Sequence, residues 1–268
     1  MSERGLDQDG LIRREGSLSR VPGMFAPVVA AARAQIAATF DERRLHSAYL
    51  YGSIPRGTAI PGVSDFDLLL AMHHEPADVD RADADAIEAA LDLAFAQIDG
   101  TGILLFSVSM LLSELERHDL GFFVACLCTP LLGDDLAAQL PRYRPTSLLA
   151  RETNGDLSLA LERWRQRAAE ATTSTARKSL SRGAARRIVR TGFTLVMPRW
   201  HGWTSDLTTS AQVFGHYYPD RAGQMRVAAA TGRTPTADPA VLSMLIDDLG
   251  PWLATEYTAI HGEKTPRP

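Results

Sequence analysis

Apolar residues recur at helical spacing over Met24–Phe40, an alanine-rich stretch in which Pro27 fits a first turn. Strand patterns follow at Ala48–Tyr51 and Phe66–Met72. After the break His73-His74-Glu75-Pro76, the spacing of Val79, Ala82, Ile87, Ala90, Leu91 and Phe95 predicts a long helix over Asp78–Ile98. Asp99-Gly100-Thr101-Gly102 is turn chemistry. Ile103–Met110 predicts a third strand, and Leu111–Arg117 a short helix. Phe122–Leu132 is nearly all apolar and reads as a buried helix, interrupted near Pro130 and closed at Gly133. Beyond a linker at Pro141–Pro145, strand signals fade. Helices are predicted over Leu157–Glu170, Ser174–Met197, Leu207–Tyr217 and Val241–His261, punctuated by Pro198, Pro219, Pro235 and Pro239.

This order predicts an α+β chain: a small mixed-sheet domain over residues 21–140, then an all-α helical bundle over residues 146–268. Residues 1–20 are polar and charged, without the apolar core of a secretory signal, and read as a flexible tail. At 268 residues, 45% hydrophobic and 22% charged, the composition is that of a globular protein. No apolar run reaches membrane-spanning length. The two cysteines, Cys126 and Cys128, read as buried reduced thiols, which fits a cytoplasmic location.

Charge changes the picture in one place. The net charge of −4 argues against a protein built to coat nucleic acid. Yet Arg163–Arg199 holds ten basic residues against one acid, Glu170, giving +9 and leaving −13 on the remainder. Within that window Lys178, Arg182, Arg186 and Arg190 lie four apart and form one helical stripe. An anionic partner is expected there, with Lys178 and Arg182 as candidates for nucleotide phosphates and an acceptor in the cleft between domains. A solvated face, or one paired with the acidic Asp78–Asp92 helix, is the plain alternative.

The chemistry concentrates in Leu50-Tyr51-Gly52-Ser53 and, eleven residues on, Asp65-Phe66-Asp67 with the run Leu68-Leu69-Leu70. Alternate strand residues point the same way, so Asp65 and Asp67 share a face while Phe66, Leu68 and Leu70 face a core. Paired carboxylates repel unless a cation sits between them. Mg²⁺ suits an oxygen-only site and brings substrate phosphates with it. Gly52 allows close backbone approach, and Ser53 is placed to cap the helical turn at Ile54-Pro55-Arg56, whose exposed N–H groups suit phosphate. Arg56 and Ser64 are second candidates beside the phosphates.

Gly-Ser, a short connection and Asp-x-Asp ending in an aliphatic strand resemble the signature of the DNA polymerase β-type nucleotidyltransferase superfamily. The two-part organisation is loosely similar to bacterial aminoglycoside nucleotidyltransferases, and Arg190–Tyr218 to the helical domain of nucleotidyltransferase-like proteins. The resemblance implies catalysis and metal binding by Asp65 and Asp67, with Mg²⁺ in a one- or two-ion site. It implies nucleotide binding by Gly52 and Ser53, and transfer of a nucleoside monophosphate, AMP from ATP above others, to a hydroxyl of a small acceptor, with release of pyrophosphate. Transfer to tRNA or a protein side chain is an alternative.

One departure stands out. The superfamily draws a third carboxylate from the next core strand, whereas Ile103–Met110 contains no acid. Ser107 and Ser109 are expected at its positions; either Glu114, Glu116 or Asp99 reaches the site from outside the strand, or the substrate or a residue of the helical domain supplies the base. A catalytically silent nucleotide-binding or regulatory protein is the third reading. His73, His74, His201 and His216 lack metal-ligand spacing and read as surface or packing residues.

Overall fold

Residues 4–267 are described by a computed structural model. They fall into two units. One comprises Arg13–Tyr143, and the other begins at Arg144 and takes in the residues up to Ile12.

The first unit runs α1 Ala26–Thr39, β1 Leu45–Tyr51, α2 Ser53–Arg56, β2 Phe66–Met72, α3 Asp78–Ala94, β3 Thr101–Ser107, α4 Val108–Leu111, α5 Leu120–Phe122 and β4 Cys128–Gly133. The strands form one mixed sheet in the order β3-β2-β1-β4. β1 is antiparallel to both β2 and β4, while β2 and β3 are parallel. Period-two alternation sorts β2 between two cores. Phe66, Leu68, Leu70 and Met72 pack with Val28, Ala32 and Ile36 of α1 and Ala84, Ile87 and Leu91 of α3. Leu69 and Ala71 pack on the opposite face with Tyr49, Leu111, Val124 and Leu136. Each such fully buried Leu or Phe contributes about 1.5–3 kcal/mol. A one-residue slip of β2 would exchange the faces and drive Asp67 into the α1–α3 core, so the sequence pins the register.

The sheet unit departs from expectation in three places. Phe122–Leu132 is not one helix. After α5 and a π turn at Phe123–Leu127, the chain enters β4. Cys128, Thr129 and Leu131 are all buried, so β4 lacks the alternation that marks a half-exposed strand. Its Pro130 is tolerated because β4 is an edge strand. Next, the short helix starts at Val108 rather than Leu111, because the Ser107 hydroxyl accepts the Met110 N–H and caps it. Finally, of the segment expected as a flexible tail, residues 1–3 lie outside the described residues and residues 4–20 make packing contacts. Arg14 makes a two-pronged pair with Asp135 at 2.7 and 3.0 Å, and Ser17 N–H donates to the Pro55 carbonyl. In the second unit Leu6 and Ile12 form an antiparallel bridge, and Trp203 N–H donates to the Arg4 carbonyl.

Apart from that bridge, the described elements of the second unit are helices: α6 Ser147–Asn154, α7 Leu157–Glu170, α8 Ser174–Trp200, α9 Leu207–Tyr217, α10 Ala222–Arg233, α11 Pro239–Ser243 and, after a π turn at Met244–Leu249, α12 Gly250–His261. The 27-residue α8 is its axis, packed by α6, α7, α9, α10 and α12. It continues past Pro198 to Trp200 and stops where His201 turns left-handed at φ 53°. α6 and α10 were not expected. The first is short and begins just past the Pro145 linker signal, and the second carries Gly223 and Gly232, which weaken a helical pattern. No helix among the described residues is long and apolar enough to cross a membrane.

Candidate active site

β1 ends at Tyr51, and the chain turns at Gly52 with φ 86° and ψ −152°, a conformation open essentially to glycine alone. Sterics add a second demand. A Cβ at Gly52 would lie 2.7 Å from Asp67 Oδ2. Asp67 stands directly opposite Tyr51 on β1 and Gly102 on β3. A Cβ added at Gly102 would fall 3.8 Å from Asp67 Oδ1. The Asp67 carboxylate therefore lies close to two glycines, Gly52 and Gly102, on the face it shares with Tyr51.

Asp65 precedes β2 by one residue. The parallel pairing reaches it from both sides, because Phe66 N–H donates to Gly100 O and Asp99 N–H donates to Ser64 O. Phe66 packs in the α1–α3 core, and extended backbone carried one residue ahead of β2 would put Asp65 on the Asp67 face. Both acids are half-buried.

The other predicted residues of this unit take different places. Gly52 caps α2 in place of Ser53, which is the first helical residue and makes no side-chain capping bond. Arg56 lies in the last turn of α2, 3.4 Å from Glu15. The Ser64 hydroxyl accepts the Ile60 N–H at 2.9 Å and so closes the loop ahead of Asp65. His73 lies past the far end of β2, its ring 5.3 Å from that of His46.

The position of the absent third acid becomes specific. Parallel pairing sets Gly102 beside Asp67 and Leu104 beside Leu69, so these two share the carboxylate face. Ser107 is paired with Met72, five residues along, where its hydroxyl and that of Ser109 both engage Glu75. The expectation that Ser107 and Ser109 stand at the positions of the absent acid is thus corrected. Of the acids outside the strand, Glu114 is paired with Arg117 and Glu116 is buried, whereas the Asp99 main chain bonds to the Asp65 segment. Among the described residues no three Asp, Glu, His or Cys side chains come together as a metal group. Two carboxylates do not make an all-protein cage. They fit Mg²⁺ carried in on phosphate oxygens, which asks for one or two carboxylates from the protein.

Lys178, Arg182, Arg186 and Arg190 all lie on α8, in the helical unit. Lys178 and Arg190 are exposed, while Arg186 Nε donates to Gly232 O at 3.0 Å, a bond that helps dock α10. Four of the six acids of α3 have arginine partners: Arg44 holds Asp80 and Asp83, and Arg81 holds Asp85 and Glu88.

No protein-family model and no curated protein matches the chain. Among solved structures, it is similar to the crystal structure of spectinomycin adenyltransferase AAD(9) from Enterococcus faecialis with ATP and spectinomycin. The TM-score is 0.52 at 11% sequence identity, over 87% of this chain and 98% of that one. The two share a fold: a small mixed sheet followed by a helical region.

Proposed function

We propose that this protein is a Mg²⁺-dependent nucleotidyltransferase that moves AMP from ATP to a hydroxyl of a small, aminoglycoside-like acceptor and releases pyrophosphate. The observation that carries the reading is the closeness of the Asp67 carboxylate to Gly52 and Gly102; Asp65, one residue ahead of β2, is read as sharing its face. The fold shared with AAD(9), whose crystal structure holds ATP and spectinomycin, supports it.

In this reading Asp65 and Asp67 hold the ion, which when bound neutralises phosphate oxygens and aligns the triphosphate. The turn at Gly52 and Ser53 gives the phosphates main-chain N–H groups at close range. Ser64 acts indirectly by closing the loop that presents Asp65. Lys178 and Arg182 stand as phosphate candidates on their charge and spacing. Catalysis comes from in-line positioning and charge neutralisation. The acceptor proton leaves without help from β3, whose positions on this face are Gly102 and Leu104.

That last feature favours a second reading, a nucleotide-binding protein that does not turn its ligand over. One assay separates the two. Protein, Mg²⁺ and α-labelled ATP are incubated with and without a panel of aminoglycosides and aminocyclitols, tRNA, or nothing further. Label moving to a small acceptor with one pyrophosphate per transfer supports the enzyme. Saturable ATP binding with no transfer to any acceptor supports the silent reading.

A further inference from the structure

The helical unit carries a Ser–His pair that the nucleotidyl reading does not use. Ser147, the first residue of α6, is exposed, and its Oγ lies 2.6 Å from Nδ1 of His261, the last residue of α12. His261 is 9% exposed, and its Nε2 lies 3.0 Å from the Leu195 carbonyl oxygen. A carbonyl oxygen only accepts, so Nε2 carries the proton and Nδ1 presents its lone pair to Ser147. The ring is held in place by the edge of Tyr257 at 5.1 Å. Tyr257 is fixed in turn by donating to Ala150 O, with its hydroxyl oxygen 3.0 Å from Thr194 Oγ1. Burial lowers the His261 pKa, and the Leu195 carbonyl pulls it back in part.

We propose that Ser147 and His261 are a nucleophile–base pair that takes acyl groups from activated esters. This goes beyond the nucleotidyl reading and does not rest on it. The chemistry asks for a hydroxyl within reach of an oriented base, and for donors where a carbonyl oxygen gains charge. Helix α6 supplies the donors. Thr146 Oγ1 accepts from Leu149 N–H, and Ala150 N–H makes the first intrahelical bond, to Thr146 O. The N–H groups of Ser147 and Leu148 come ahead of that ladder, at the positive end of the helix and beside the Ser147 side chain. Leu148 and Ile260, each next to a member of the pair, are 42% and 43% exposed and offer apolar surface for a short acyl chain.

The step balances without a co-reactant beyond the ester and water. Ser147 Oγ bonds to the acyl carbon as its proton passes to His261 Nδ1. The ester C–O bond breaks, and the leaving alcohol takes that proton. Water then repeats the relay, giving the carboxylic acid and free Ser147.

The test is labelling of the full-length protein with a fluorophosphonate probe, peptide mapping by mass spectrometry, and release of p-nitrophenol from p-nitrophenyl acetate. One equivalent on Ser147 is expected, absent from Ser147→Ala and slowed about a hundredfold in His261→Gln, the scale of a lost general base. The wild type unfolded in guanidinium controls for variants that fail to fold, and must lose the labelling. No label on Ser147, a rate on Ser147 no faster than in the unfolded chain, or an equal rate in a folded His261→Gln would each overturn the pair. ATP binding is unaffected by any of these results, so the two proposals fail separately.

Discussion

Asp67 Oδ2 occupies space only 2.7 Å from where a side chain on Gly52 would begin. The turn after β1 and the acid on β2 are thus mutually dependent, since any residue larger than glycine displaces the carboxylate. Gly52→Ala is expected to cost about 1–3 kcal/mol for its backbone conformation alone. Activity should fall further than stability does, because the carboxylate moves as well. Urea unfolding beside the transfer assay checks this; unchanged ATP affinity in a folded Gly52→Ala would argue against the close approach.

Asp65→Asn and Asp67→Asn should behave unlike ordinary site-directed damage to a fold. Each keeps the shape of the side chain and removes one charge, so the variants should fold with at most a small loss of thermal stability without ligand. Turnover should drop by roughly a hundredfold or more, the rate equivalent of about 3 kcal/mol of lost charge stabilisation. A melting curve lowered by several degrees in either variant would mean that the acids serve the fold instead.

Leu104 separates the enzyme from the silent reading. It is 38% exposed on the carboxylate face, so a Glu there can be solvated without opening the core. Leu104→Glu is expected to fold and to tighten Mg²⁺-dependent ATP binding by supplying a third oxygen ligand. If transfer appears only in this variant, the missing acid is what silences the wild type. If the wild type already transfers and the variant does not improve, the reaction needs no acid from β3.

Stability should carry an acid-side signature from Asp80. Its side chain is 1% exposed, paired with Arg44 and bonded to the Ala77 N–H. Burial pushes its pKa up, but the Ala77 N–H and the Arg44 guanidinium outweigh burial, so the folded value lies below the ordinary 3.8. A lowered carboxyl pKa stabilises the fold fully above the unfolded value, and the contribution is lost as pH falls through the folded value. Asp80→Asn should therefore cost about 3 kcal/mol at neutral pH, the lower end for breaking a buried pair, because Arg44 keeps some solvent contact. That gap should narrow as pH drops below 3.8. Urea unfolding across this range reads both numbers, and a pH-independent gap would remove the ion pair from the explanation.

The legible part of this molecule was the part where one strand faces two environments. Phe66, Leu68 and Leu70 against Asp65 and Asp67 declare a face and a register within the segment itself. β4 was illegible because Cys128, Thr129 and Leu131 are all buried, which erases the period of two, and Pro130 argued for a break. The residues beside Asp67 were illegible for another reason. Parallel pairing of β2 with β3 is set by the length and packing of the α3 crossover, not by a local turn, so nothing in 101–110 shows that Gly102 meets Asp67 while Ser107 meets Met72. The Ser147–His261 pair spans 114 residues and has no motif spacing to reveal it.

The central claim is that Asp67 and its neighbour hold a divalent ion on a triphosphate. Isothermal calorimetry of ATP with the wild type and Asp67→Asn, each with Mg²⁺ and with EDTA, tests it most directly. The account predicts saturable binding by the wild type that weakens at least tenfold in EDTA, and a folded Asp67→Asn that binds no better with Mg²⁺ than without. Equal affinity in all four titrations, or Mg²⁺-dependent binding that survives in Asp67→Asn, would contradict it.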